Sequence, residues 1–96
     1  MFLVNMNFVD MEQVTPELVE QHRAYLASEY EKNLLLFGGR KVPRTGGILL
    51  SQHPTERALR AVLEADPFIQ SGAVEYNITE FTPVMASQSF SHILPA

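Results

Sequence analysis

Apolar and polar positions alternate over residues 2–9, FLVNMNFV. Phe2, Val4, Met6 and Phe8 fall on one side, and Leu3, Asn5, Asn7 and Val9 on the other. Period two with aromatic and branched side chains predicts a strand. The paired asparagines predict that its second face meets solvent or lines a polar cavity.

The period then lengthens. Over Thr15–Lys32, the positions Leu18, His22, Tyr25, Leu26 and Glu29 recur at helical spacing, flanked by Val19 and Tyr30. The start is marked: Thr15 suits an N-cap, Pro16 the first helical position, and Glu17 complements the helix dipole. Val14 and Val19 are spaced as a hydrophobic staple.

LLLFGG (34–39) is apolar without alternation and predicts a strand buried on both faces, with the tail of a helix as the alternative that length leaves open. RKVPRT (40–45), Gly46-Gly47 and ILLS (48–51) follow. They predict a second antiparallel strand after a loop of about eight to ten residues, long for a hairpin and of the kind that is functional or mobile. A second helix is expected to open at His53-Pro54. It carries a stripe of Ala58, Leu59, Val62, Leu63 and Ala65 and ends at Asp66-Pro67, because proline disfavours helix in the residue before it. AVEYNITEF (73–81) alternates again and predicts the last strand, closed by Pro83. Residues 84–96 form a short tail without pattern.

The order β-α-β-β-α-β is the ferredoxin-like α+β arrangement, a four-stranded antiparallel sheet with both helices on one face. The domain is expected over 1–83, with 84–96 as a C-terminal tail. Apolar residues on the uncovered face predict a homodimer.

Composition narrows the function classes. The 96 residues are 46% hydrophobic and 19% charged, as in an ordinary globular chain of one domain. A net charge of −4 argues against a duplex nucleic-acid partner. The absence of cysteine excludes disulfides, thiolate metal sites and cysteine nucleophiles. The N-terminus lacks the basic n-region of a signal peptide, and no apolar run approaches the ~20 residues of a membrane helix. The expectation is therefore a cytoplasmic protein without membrane association.

The chemistry centres on His22, an ionisable imidazole on a face that packs inward. It is either a core histidine satisfied by backbone or a general acid–base in a pocket. Arg40, Lys41 and Arg44 put three cations into a glycine-framed loop of an acidic protein. Arg40 and Arg44, with backbone amides near Gly39, are candidates to bind a carboxylate or phosphate, against a plain solvated loop tip. Glu29 lies on the face of His22 and is expected to reach solvent, with a reserve role as acid partner. His53 reads as an N-cap surrogate and His92 as part of the tail. The three histidines show no metal-ligand spacing, and neither glycine pair forms a nucleotide-binding motif, so no metal or cofactor is expected.

The segments HRAYL (22–26), NLLLFGG (33–39), GGILLS (46–51), RALRAVLEADPF (57–68) and EYNITEF (75–81) resemble, in order and spacing, the YCII-related family of the dimeric α+β barrel superfamily. The resemblance covers about residues 1–83. It implies a ferredoxin-like subunit, a homodimer, and a cleft holding a histidine from the first helix and an aspartate after the second. Those positions fall on His22 and Asp66. Gly39 stands where the family usually has proline, so the shape of that pocket wall is not carried over. Family members resemble muconolactone isomerases, and at least one branch is a lyase that removes chloride from a chlorinated lactone.

Two functions follow from different classes. In one, His22 oriented by Asp66 moves a proton on a small carboxylate-bearing substrate, as in a cofactor-free lyase or isomerase. In the other, the same pocket belongs to a non-catalytic homodimer that binds a small anion or a partner protein. Outside the resemblance, Asp66 has a structural role open to it, as the cap of its own Asp-Pro turn.

Overall fold

The computed structural model describes residues 1–95. Strand β1 (Phe2–Phe8) leads through a 3-10 turn (Met11–Gln13) to helix α1 (Pro16–Tyr30). Strands β2 (Leu35–Arg40) and β3 (Gly46–Ser51) follow, then helix α2 (Glu56–Glu64), the short helix α3 (Pro67–Gln70) and strand β4 (Val74–Glu80). The sheet order is β2-β3-β1-β4, antiparallel throughout. This is the ferredoxin-like α+β order that the sequence predicts.

Alternation along β1 decides where the core lies. Phe2, Val4 and Met6 are buried on the helix side, with Leu49 of β3 opposite Val4 and the buried Val74 of β4 opposite Phe8. Leu26 of α1, Leu59 and Leu63 of α2 and Phe68 of α3 close over them. Burying each of these large side chains contributes about 1.5–3 kcal/mol, and the two central strands supply most of the floor. The sheet's other face carries Leu3, Asn5 and Asn7 of β1, with Ile48 and Leu50 beside them on β3.

Helix α1 begins as its sequence dictates. Thr15 Oγ1 accepts the Leu18 N–H at 3.1 Å, and Pro16 opens the first turn. It ends at Tyr30, two residues before the expected Lys32. Asn33 then turns the chain with φ 63°, a left-handed conformation that asparagine tolerates.

Other expectations need correction. Residues 34–37 do not form a strand buried on both faces: β2 is an edge strand, with Leu35 buried but Phe37 57% exposed. A bulge between Leu35 and Phe37 resets the alternation and turns Phe37 outward. The following loop is shorter than expected, residues 41–45, because pairing runs on through the glycines, with Gly39 opposite Ile48 and Arg40 opposite Gly47.

The second helix does not open at His53-Pro54. Thr55 caps it, with Oγ1 accepting the Ala58 N–H at 3.1 Å. His53 is no cap surrogate either, since it turns inward and is 6% exposed. At the other end, Pro67 starts helix α3, and Asp66 is the N-cap. Gln88–Ile93 of the tail form a 3-10 turn rather than an unpatterned segment.

Candidate functional site

One stripe of α1 faces the gap between the helix and the β2–β3 end of the sheet. Positions 19, 22, 23, 26, 27 and 30 recur every three or four residues and line a cavity of about 620 Å³. Its floor is apolar, with Met6, Leu49 and Phe68 among its lining. Arg23, Arg40 and Arg44 are also among its lining residues.

His22 sits in this lining with its side chain 16% exposed. Its Nδ1 lies 2.8 and 2.9 Å from the two carboxylate oxygens of Asp66, 44 residues away. A carboxylate only accepts, so Nδ1–H donates and the proton of the neutral imidazole belongs there. Nε2 is left without a protein partner among the described residues, on a ring that lines the cavity.

Asp66 is fixed twice over. Oδ1 also accepts the Phe68 N–H at 2.9 Å, and the Asp66 carbonyl accepts the N–H groups of Ile69 and Gln70. Its side chain is fully buried. The cap role and the histidine role are therefore the same carboxylate in one geometry, and the Asp-Pro junction is what aims it.

Phe68 completes the mount. Its ring stacks on His22, with centroids 3.9 Å apart and planes 13° apart, and Phe8 meets Phe68 edge-on at 5.8 Å. The imidazole is held by a carboxylate at its edge and an aromatic ring on its face.

The other polar residues of α1 serve a different neighbourhood. Tyr25 Oη donates to the Val62 carbonyl at 2.6 Å and ties α1 to α2. Burial, with the nearby charges of Glu29 and Asp66, pushes its hydroxyl up to about 12, so it stays a phenol. Glu29 does not reach solvent as expected: it is 7% exposed, with Lys32 Nζ at 3.0 Å.

His53 belongs to that second cluster. Ser51 Oγ accepts the His53 backbone N–H at 3.0 Å and lies 2.5 Å from its Nδ1. The pair closes if the serine hydroxyl donates to an unprotonated Nδ1. Burial pulls the His53 pKa down and favours this neutral form, opposed by Glu29 and assisted by Lys32.

The structure thus brings together His22, Asp66, Gly39, Arg40 and Arg44, all named from the sequence. It adds Arg23, Tyr30 and Phe68. The first two lie on the same helical stripe as His22, and that spacing was the signal available for them. Phe68 had none, because its place over the imidazole depends on how α3 docks. Among the described residues, no group of three or more histidine, aspartate or glutamate side chains gathers as a metal-binding set.

These features define a ferredoxin-like α+β protein with a histidine–aspartate pair at an arginine-lined cavity. The chain belongs to the YCII-related family, whose domain model matches residues 1–82. Among solved structures it is similar to 5-chloro-2-hydroxyhydroquinone dehydrochlorinase from Burkholderia phenoliruptrix, in complex with 2,5-dihydroxybenzoquinone. The two share 22% identity over 84% of this chain and 92% of that one, with a TM-score of 0.69. At that identity the likeness speaks for the fold. No curated protein matches the sequence. No helix among the described residues is long and apolar enough to cross a membrane.

Proposed function

We propose that this protein is a cofactor-free lyase or isomerase that moves a proton on a small anionic, carboxylate-bearing substrate. The observation that carries this reading is the His22–Asp66 bond. It spends Nδ1 on the carboxylate and leaves Nε2 available at the cavity.

In this reading Nε2 takes a proton from an acidic C–H or O–H of the substrate, and the electron pair left behind forms a new π bond. The imidazolium that results is stabilised by Asp66 across 2.8 Å. The reaction then ends in one of two ways. A leaving group departs with its bonding pair, or the proton returns at another carbon. Arg40 and Arg44, with Arg23, hold the anionic group, since guanidinium pairs with carboxylate in a forked geometry. Gly39 offers only backbone to this cavity, since it pairs with the outward Ile48 and a Cβ there would stand in open space on the other sheet face.

Membership of the YCII-related family and the dehydrochlorinase neighbour are compatible with such chemistry. The test is a screen of small unsaturated lactones, dicarboxylates and hydroxylated quinones, followed by His22→Ala on whichever turns over. Loss of turnover with the fold retained is expected. Turnover unchanged in that variant would remove His22 from the chemistry.

The same reading includes a homodimer formed through the outer sheet face, in the cytoplasm. Phe37 and Ile48, 57% and 41% exposed, stand opposite neighbouring outward positions on β2 and β3, with Leu50 beside them. An apolar cluster on an open sheet face is the kind of surface a second copy covers. Ile48→Glu is expected to shift the species in sedimentation to half its mass; a wild-type chain already monomeric at tens of micromolar would refute the dimer.

A further inference from the structure

The end of the cavity away from His22 holds a second polar group with no assigned role. Tyr30 lies eight residues further along α1, about 12 Å of helix axis from His22 at ~1.5 Å per residue. Its hydroxyl sits over Gly38: a Cβ there would come within 2.8 Å of Tyr30 Oη, 2.6 Å of Leu49 Cδ2 and 2.5 Å of the Ile48 carbonyl. Any side chain at residue 38 would have to displace the phenol or the backbone. Tyr30 makes no hydrogen bond to another protein group among the described residues, and burial alone raises its pKa. It is a protonated donor without an acceptor.

The wall next to it is bare backbone at one position. On the helix-facing side of β2 and β3, Gly38 stands opposite Leu49, and Gly47 stands opposite Arg40 and Met6. At Gly47 the sheet backbone itself forms that part of the wall, whereas over Gly38 the space is taken by Tyr30 Oη and Leu49 Cδ2. Ala27 is the small residue of the α1 stripe lining the same cavity. Bare backbone at Gly47 and the short side chain of Ala27 leave room for a planar body laid against the strand.

Resting on the acid–base reading of the same cavity, we infer that Tyr30 is a substrate-positioning residue whose hydroxyl, seated on Gly38, donates a hydrogen bond to a ring oxygen of a planar, anionic, oxygenated substrate lying along the Gly47 backbone. One end of the ring then meets His22 and the other meets Tyr30. The arginines balance its charge.

The test is calorimetric titration with 2,5-dihydroxybenzoquinone as the planar probe and cyclohexanecarboxylate as the puckered anionic control. Wild-type protein is expected to bind the quinone in preference to the control. Tyr30→Phe should weaken quinone binding by about tenfold or more, the loss of a hydrogen bond to a charged acceptor, with the control's affinity unmoved. Gly38→Ala should reproduce that loss by pushing the hydroxyl aside; if it does not fold, Tyr30→Phe alone decides.

Equal quinone affinity in wild type and Tyr30→Phe overturns the inference and leaves the acid–base reading standing. So does a wild-type protein that ignores the planar probe but turns over an aliphatic carboxylate in a His22-dependent way. Turnover that survives His22→Ala overturns the reading on which the inference rests.

Discussion

Two histidines of this chain are both tucked under the helices, and they do opposite things. His22 bonds a buried carboxylate, stacks on Phe68 and lines a cavity with three arginines. His53 bonds a serine hydroxyl two residues away, lines no part of that cavity, and is held neutral by burial. Residue type and burial do not separate them. The charge of the partner and access to open space do. An anionic partner stabilises the protonated ring, whereas a hydroxyl donor to Nδ1 is lost when that nitrogen takes a proton.

The comparison breaks first on activity. His22→Ala is expected to lower turnover by about 10²–10⁴-fold, whereas His53→Phe should leave it within about twofold, measured on the same substrate and corrected for folded fraction. Equal losses would mean that the two sites are not distinct in function.

Asp66→Asn sharpens the contrast next. The amide oxygen can still cap Phe68 N–H, so helix α3 keeps its start. Its NH2 would face Nδ1 and drive the imidazole to the other tautomer, with the proton on Nε2. Turnover should fall by about 10² while far-UV circular dichroism is unchanged. Asp66→Ala would instead strand a buried histidine and a backbone N–H, at about 3 kcal/mol of stability. If Asn retained full activity, the carboxylate would be a cap and nothing more.

The smallest effects belong to His53. His53→Phe keeps a ring but leaves the Ser51 hydroxyl without its acceptor, at about 1–3 kcal/mol in denaturant unfolding. Acid gives a second measure. The folded protein protonates His53 at a lower pH than the unfolded chain, whose histidine titrates near 6.5. Below that value the unfolded state binds more protons, so stability falls as pH drops, until the folded imidazole itself becomes charged. His53→Phe should remove this slope below pH 6.5. A slope of the same size in both proteins would assign it elsewhere.

Much of the fold was legible because its causes are local. Period two in residues 2–8 and again in 74–80, the Thr15-Pro16 start of α1 and the stripe of α2 each follow from neighbours in the chain. Boundaries failed where a competing local choice won. His53-Pro54 looks like a helix start, but Thr55 is the better cap and leaves His53 free to turn toward Ser51. Residues 34–37 look like a doubly buried strand. Position in the sheet overrules composition there, since β2 lies at an edge and a bulge turns Phe37 outward.

The site divides along the same line. Sequence by itself determined that one face of α1 carries an imidazole among apolar positions. It also placed cations in a glycine-framed loop and a carboxylate at the Asp-Pro junction. It could not determine that His22 and Asp66 meet, because 44 residues and three intervening elements separate them. Only the packing of α3 against α1 sets the 2.8 Å contact and lays Phe68 on the ring. Nor could it show His53 buried against Ser51, since locally that residue reads as a helix cap. A side chain's chemistry depends on the dielectric, the charge and the free space around it. Those are properties of the assembled structure, supplied by residues remote in the chain.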